Sequence, residues 1–190
     1  AGEDARLGLV GGQRPRGLLR GSGLTDAPVR LMYNELGVLI GMVHAMLPLA
    51  VLTMLAGGFV AGIRAGFDYN TFPLMDGRVV PAGYGALEPW VLNLFESVAA
   101  VQFNHRLLAT LTLAGALWLA LVAWRERATV AGRAALLLAV VVAAQYALGV
   151  ATLLYVVPVG LGTLHQTVAV VVLAAFVNAL DRLRGGRAAA

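Results

Sequence analysis

Residues 95–109, FESVAAVQFNHRLLA, open a long apolar segment and place His105 and Arg106 side by side about two turns into it. Ionisable side chains inside a membrane-length segment are costly, so each of them is a candidate for a functional site. The segment continues without a charged residue as far as Arg125. Since a membrane-spanning helix needs about 20 apolar residues, the stretch predicts such a helix with a polar pair inside it.

The composition extends this conclusion to the whole chain. Of 190 residues, 59% are hydrophobic and 13% are charged, whereas a soluble domain has about 25% charged residues. We therefore predict an integral membrane protein whose main partner is the lipid bilayer. Cysteine is absent, so no disulfide or thiolate metal site is available. All 14 basic residues are arginines beside apolar segments, which indicates membrane topology and not binding to nucleic acid.

Four apolar runs are long enough to cross a bilayer. We predict an all-α fold in which these runs form a four-helix transmembrane bundle over residues 36–184. Residues 1–35 are predicted to be a basic, poorly ordered segment. Residues 64–94 form a long loop rich in glycine, proline and aromatic residues, and it is either a lid over a site or an aromatic belt at the membrane interface. The predicted spans are 36–63, 97–124, 134–157 and 159–180.

The distribution of arginine predicts the orientation. Five arginines lie in residues 1–30, three in 125–133 and three in 182–187, whereas the opposite side has only Arg64 and Arg78. Cytoplasmic loops carry an excess of arginine and lysine. The sequence therefore predicts a multi-pass protein of the bacterial inner membrane with both termini in the cytoplasm and the 64–94 loop outside.

His105 has a candidate partner in His165. From the outer surface, His105 lies about eight residues into the second span and His165 about six residues into the fourth, or roughly 12 Å and 9 Å deep at about 1.5 Å per residue. Four-helix bundles hold cofactors between side chains at matched depth. Two histidines without thiolates or clustered carboxylates suit the axial positions of a haem iron better than zinc or di-iron. Packing histidines and a quinone or ion site remain open alternatives.

Each of the other polar residues in or beside the predicted spans allows a functional and a structural interpretation. Arg106 could bind a haem propionate or extend to lipid headgroups. A polar and small face of the third span, Gln145 with Gly149 and Thr152, is expected to turn inward beside a flat cofactor, or to serve ordinary helix packing through small residues. His44 is expected to serve in helix packing or at the interface. Glu96 is expected to support the start of the second helix rather than proton traffic.

Five groups of motifs, taken in chain order, resemble the haem A synthase family of cytochrome oxidase assembly. They cover about residues 55–183. They are FVAGIRAG at 59–66, YNTFPLM at 69–75, FE at 95–96 followed by VQFNHR at 101–106, QYALGVATLL at 145–154, and LHQ at 164–166.

The resemblance implies one half of an eight-helix, pseudo-symmetric protein made of two four-helix bundles. It implies that His105 and His165 are the axial ligands of a haem b iron, with Arg106, Gln145 and Gln166 beside the cofactor. It also implies oxidation of the C8 methyl group of haem O to the formyl group of haem A, and haem O synthase as a partner. The alternative is a non-enzymatic membrane cytochrome or electron-transfer anchor with two histidine ligands.

The chain departs from the family pattern in its first part. It has four predicted spans instead of eight, and Asn34 stands where a histidine is expected. The resemblance therefore covers the C-terminal half and assigns no catalytic acid or base. The open interpretations are a chain that lacks an N-terminal half, a divergent half, and a half that pairs with a second copy as a homo-oligomer.

Overall fold

The computed structural model describes residues 26–189, with side chains from residue 35 to residue 185. Residues 1–25 of the predicted N-terminal segment, and the side chain of Asn34, lie outside this description. Four long helices make up most of the described chain. They are α1 (Asp26–Gly62), α2 (Val98–Ala123), α3 (Val130–Leu154) and α4 (Val159–Ala189).

All four helices are long and apolar enough to cross a membrane, with mean hydropathies between 1.8 and 2.2. This confirms the predicted all-α membrane fold. The helix bounds differ from the predicted spans, because α1 already begins at Asp26 and α4 continues to Ala189. Hydropathy detects the apolar part of a helix, whereas the backbone hydrogen bonds continue into polar residues at either end.

The helices pack as a closed bundle in chain order. Each helix contacts the next one, and α4 returns to contact α1. The connections between α2 and α3 and between α3 and α4 are short, as expected for antiparallel neighbours. All three connections therefore lie at the two ends of the bundle.

The two halves of the bundle are packed differently. The half towards the 124–129 connection is a close-packed apolar core. The half towards the residue 63–97 connection instead encloses a cavity. The fully buried core side chains of the packed half include Leu39, Val43, Leu119, Leu138, Phe176 and Leu183.

Local contacts and backbone conformation set the start of α2 and the end of α3. The Ser97 side chain accepts a hydrogen bond from the Ala100 amide at 3.3 Å and caps α2. Glu96 is exposed and makes no such bond, so the expected capping role belongs to its neighbour. The chain leaves α3 through Val156 and Val157, both in the left-handed region with φ of 58° and 51°. β-branched residues seldom adopt this conformation. Because a right-handed helix cannot continue through left-handed residues, α3 ends at Leu154.

The long connection between α1 and α2 folds over the open half of the bundle. It contains two short 3₁₀ helices, Ala65–Phe67 and Trp90–Leu94, and a tight turn in which Met75 and Arg78 exchange backbone hydrogen bonds. Asn93 is buried and ties the second part together through the backbone of Leu87. The first part of this connection contributes Phe67 and Phe72 to the cavity wall.

Candidate functional site

A cavity of about 530 Å³ lies between the four helices and under the long connection. Binding sites for small molecules and cofactors commonly have volumes of about 300–1,000 Å³. The cavity brings together all five of the site residues predicted from the sequence. These are His105, Arg106, Gln145, His165 and Gln166.

The wall is mainly apolar, with a few polar groups. Gly149 and Thr152 line it with Gln145, so the polar and small face of α3 turns inward. Gly57 and Gly58 contribute the corresponding small surface from α1. A flat apolar ligand with a polar edge matches this wall.

His105 is held by a backbone carbonyl of α1. Its Nδ1 lies 3.1 Å from the Thr53 carbonyl oxygen. Since a carbonyl oxygen can only accept, Nδ1 carries the proton and donates it, and Nε2 keeps its lone pair. Metal-binding histidines typically have one ring nitrogen fixed in this way. The imidazole of His105 is therefore prepared to bind a metal through Nε2.

His165 has a different environment. The Gln145 side-chain amide donates a hydrogen bond to the His165 backbone oxygen at 2.9 Å. Two buried atoms beside it, Nδ1 of His165 and Oε1 of Gln145, have no hydrogen-bond partner. Buried polar groups are normally paired, so these atoms indicate a site that is completed by a further group or by a small side-chain movement.

The turn of α2 that carries His105 also holds the long connection. The Gln102 amide donates to the carbonyl oxygens of Ala65 and Asp68, each at 2.7 Å. Gln102 is only 2% exposed, so these bonds lie in the interior. One turn later, on the same face, Arg106 continues this attachment.

The Arg106 guanidinium donates to the carbonyl oxygen of Thr71 at 2.8 Å, to that of Tyr69, and to Oε1 of Gln102 at 3.1 Å. Its Nε atom is buried without a partner. Arg106 therefore holds the loop over the cavity and does not extend towards lipid headgroups. The loop therefore lies over the cavity, as the interpretation of a lid requires.

His44 lies outside the cavity. Its Nδ1 donates to the Ile40 carbonyl oxygen at 2.7 Å, and its Nε2 accepts from Arg184 at 2.9 Å. The second bond joins α1 to α4 near the packed end of the bundle. This contact is that of a helix-packing histidine.

The donor set fits a haem better than a metal bound by protein ligands alone. No group of three or more His, Cys, Asp or Glu side chains suited to a metal occurs in the part of the chain that the structure describes. Two imidazoles can complete the coordination of an iron whose other four ligands come from a porphyrin. The apolar wall and the free Nε2 of His105 agree with that group.

Comparison with known proteins gives a family-level match to cytochrome oxidase assembly protein, COX15-CtaA, over residues 26–177. The chain belongs to this family. The match covers the four helices and the loop over the cavity, which is the whole of the candidate site. No solved structure matches the chain.

Curated relatives in the family carry the name haem A synthase. The chain is 54% identical to that of Granulibacter bethesdensis over 144 residues, which are 75% of this chain and 37% of the relative. It is 45% identical to one from Rhodopseudomonas palustris (73% of this chain, 39% of the relative). A third, from Methylobacterium, is 50% identical (67% of this chain, 37% of the relative). The chain thus spans well under half the length of these relatives.

Sequence reasoning missed two contributors to the site, Gln102 and Thr53. Gln102 stands three residues before His105 and was given no role, although its i, i+4 spacing to Arg106 places both on one helix face. Thr53 contributes through its backbone carbonyl, and a sequence pattern contains no signal for that contact. Gln102 could have been found from its polarity in an apolar run.

Proposed function

We propose that this chain is the haem-b-holding part of a haem A synthase, the enzyme that oxidises the C8 methyl group of haem O to the formyl group of haem A. The observation that carries the proposal is the joint cavity of His105 and His165, in which Thr53 fixes the tautomer of His105. Membership of the cytochrome oxidase assembly family supports it. So does the name of the relatives.

Within this proposal, His105 and His165 would hold the haem iron through their imidazole nitrogens. Haem b held between two imidazoles supplies one-electron transfer when it is bound. Arg106 has a buried, unpartnered Nε donor for a propionate, while Nη1 and Nη2 bond to the loop and to Gln102. Gln145 holds the backbone of His165 in place, and Gln166 lines the cavity beside it. The loop over the cavity limits access of water.

The proposal gives this chain the cofactor-holding role and leaves the catalytic acid or base unassigned. Conversion of a methyl to a formyl group with oxygen from water releases four electrons and four protons, so a site for haem O, a water molecule and an electron acceptor are also required. Haem O synthase is the expected source of the substrate. The substrate site is expected in an N-terminal bundle or a second copy of this chain.

We further propose that both termini of this chain lie in the cytoplasm of a bacterial cell. The cavity would then open towards the outer face of the inner membrane. The arginine distribution supports this orientation. The 124–129 connection contains Arg125 and Arg127, whereas the long connection offsets Arg64 and Arg78 with acidic residues. The packed half of the bundle would then lie on the cytoplasmic side.

The test is expression in membranes, followed by reduced-minus-oxidised spectra, haem extraction and chromatography. We expect haem b with the spectrum of a low-spin iron held by two histidines. His105→Ala and His165→Ala should each abolish that spectrum, and His44→Ala, whose ring lies outside the cavity, should retain it. Full Soret bands in both of the first two variants would refute the ligand assignment.

Activity requires a separate measurement. Membranes of a strain that lacks its own haem A synthase but produces haem O should accumulate haem A when this chain is expressed together with the N-terminal half of a relative. Bound haem b without any haem A in that pairing would instead support the membrane cytochrome.

A further inference from the structure

Both cavity histidines lie against a glycine of the preceding helix. A Cβ atom built on Gly57 of α1 would be 2.9 Å from Cε1 of His105 on α2, with both ring nitrogens within 3.5 Å. A Cβ atom built on Gly149 of α3 would be 2.8 Å from Cε1 of His165 on α4, again with both nitrogens at 3.5 Å or less. Atoms of real side chains essentially never approach this closely, so each ring occupies space that only glycine leaves open.

The two contacts repeat the same arrangement in two helix pairs. In each pair the odd-numbered helix contributes the glycine and the even-numbered helix the imidazole. The other glycines of the same helices contact no histidine, and the tight approach at Gly132 of α3 is to the backbone oxygen of Glu126. A Cβ atom on Gly62 of α1, or on Gly160 of α4, would meet nothing within 4 Å. Among the glycines in the described parts of the four helices, Gly57 and Gly149 are the two whose Cβ atom would meet an imidazole ring.

The glycine contact would limit where each ring can move. Nδ1 of His105 is already fixed by Thr53, and Gly57 bounds the same ring on the side of Cε1. Nδ1 of His165 has no hydrogen-bond partner, so Gly149 and the surrounding helix surface provide most of its restraint. A side chain at either glycine would push the ring away from α1 or α3, into the cavity.

We propose that Gly57 and Gly149 are positioning residues that set the place and tilt of the His105 and His165 imidazoles in the cavity. The role of these rings as haem ligands rests on the function proposed above. The position of the rings does not depend on that function. Neither glycine contacts the reacting atoms, and each acts through one histidine.

The first experiment measures the rings without haem. The full chain is purified in detergent without its cofactor, and modification of each histidine by diethylpyrocarbonate is followed by peptide mass spectrometry. Gly57→Ala should change the modification rate of His105 several-fold and leave that of His165 unchanged, and Gly149→Ala should do the reverse. Gly62→Ala and Gly160→Ala are the matched controls and should change neither rate. The proposal would be overturned if His105 and His165 were modified at their wild-type rates in all four variants.

A double-mutant cycle covers the case in which a variant folds poorly. If the added methyl group clashes with the ring, Gly57→Ala should lower the thermal stability of wild-type protein but have little effect when His105→Ala has already removed the ring. The same holds for Gly149→Ala with His165→Ala. Such non-additivity is expected for groups in contact and not for distant, independent sites. Additive losses would show that the glycines serve helix packing alone, and would refute the proposal.

The second experiment uses haem-loaded protein. Mutation of a residue that orients a metal ligand typically weakens metal binding by about 10–100-fold, so haem titration of either glycine variant should show a loss in that range. The g values in the electron paramagnetic resonance spectrum should also shift, because they depend on the orientation of the two imidazoles. Absence of haem from the wild type would overturn the proposed function, while the histidine modification rates would still decide the role of the glycines.

Discussion

Replacement of Gln102 by leucine should release the loop that covers the cavity. Gln102 makes three hydrogen bonds, two from its amide to the Ala65 and Asp68 carbonyl oxygens and one from Arg106 to its Oε1. Leucine has a similar volume and fills the same buried position without making any of them. The change therefore tests the polar attachment separately from packing.

The magnitude follows from the number of bonds. Side-chain hydrogen bonds in membrane proteins contribute about 0.6 kcal/mol each on average, so loss of the three bonds of Gln102 should cost about 2 kcal/mol. The carbonyl oxygens left without a donor would raise this cost. Two of the three bonds, to Ala65 and Asp68, hold the loop itself and account for about 1.2 kcal/mol. Since about 1.4 kcal/mol corresponds to a factor of ten, we expect the loop to open roughly 7 times more often.

Hydrogen exchange followed by mass spectrometry measures this opening directly. The reporters are loop amides with backbone or side-chain acceptors, such as Asp68 and Met75. Amides within α3 serve as the internal reference, because that helix makes no bond to Gln102. Gln166→Leu, at a cavity residue with no contact to the loop carbonyls, is the matched variant. An unchanged loop exchange rate, or an equal increase in α3, would refute the attachment.

Three further expectations concern other parts of the bundle. Phe176 is fully buried in the packed half, so Phe176→Ala should destabilise the protein by about 3–5 kcal/mol, and an unchanged melting temperature would contradict the assigned core. The chain has no cysteine, so an impermeant maleimide should label Val79→Cys in intact cells and Arg125→Cys only after permeabilisation, whereas the reverse pattern would invert the proposed orientation. Gln145→Leu removes the bond to the His165 backbone and should weaken haem binding by about tenfold; equal affinity in a titration would exclude a positioning role for Gln145.

The helices themselves could be predicted from the sequence because bilayer thickness sets a simple requirement. About 20 apolar residues are needed to cross, and four runs meet it. The ends could not be predicted in the same way, since they depend on local contacts. The Thr129 side chain caps the start of α3 by accepting a hydrogen bond from the Gly132 amide at 2.9 Å. The helix ends at Leu154, because Val156 and Val157 adopt the left-handed conformation.

The candidate site was predictable where polar residues interrupt apolar runs. His105, Arg106, Gln145 and His165 were identified in this way, and all four line the cavity. The partners of these side chains were not predictable, because most are backbone carbonyls. Thr53 and Tyr69 accept from His105 and Arg106 through main-chain oxygens, and every residue offers that group. Only the fold determines which carbonyls face the cavity.

The position of Arg106 connects the loop to the histidine. It follows His105 directly, and three of its contacts lie on the loop or on Gln102. A movement of the loop would therefore act on the same helical turn that carries the proposed iron ligand. Because the buried Nε of the guanidinium has no partner, a propionate at this residue would bind at the edge of the loop attachment and strengthen it. Haem binding and loop closure are then expected to stabilise each other, since each fixes the orientation of one shared turn of α2.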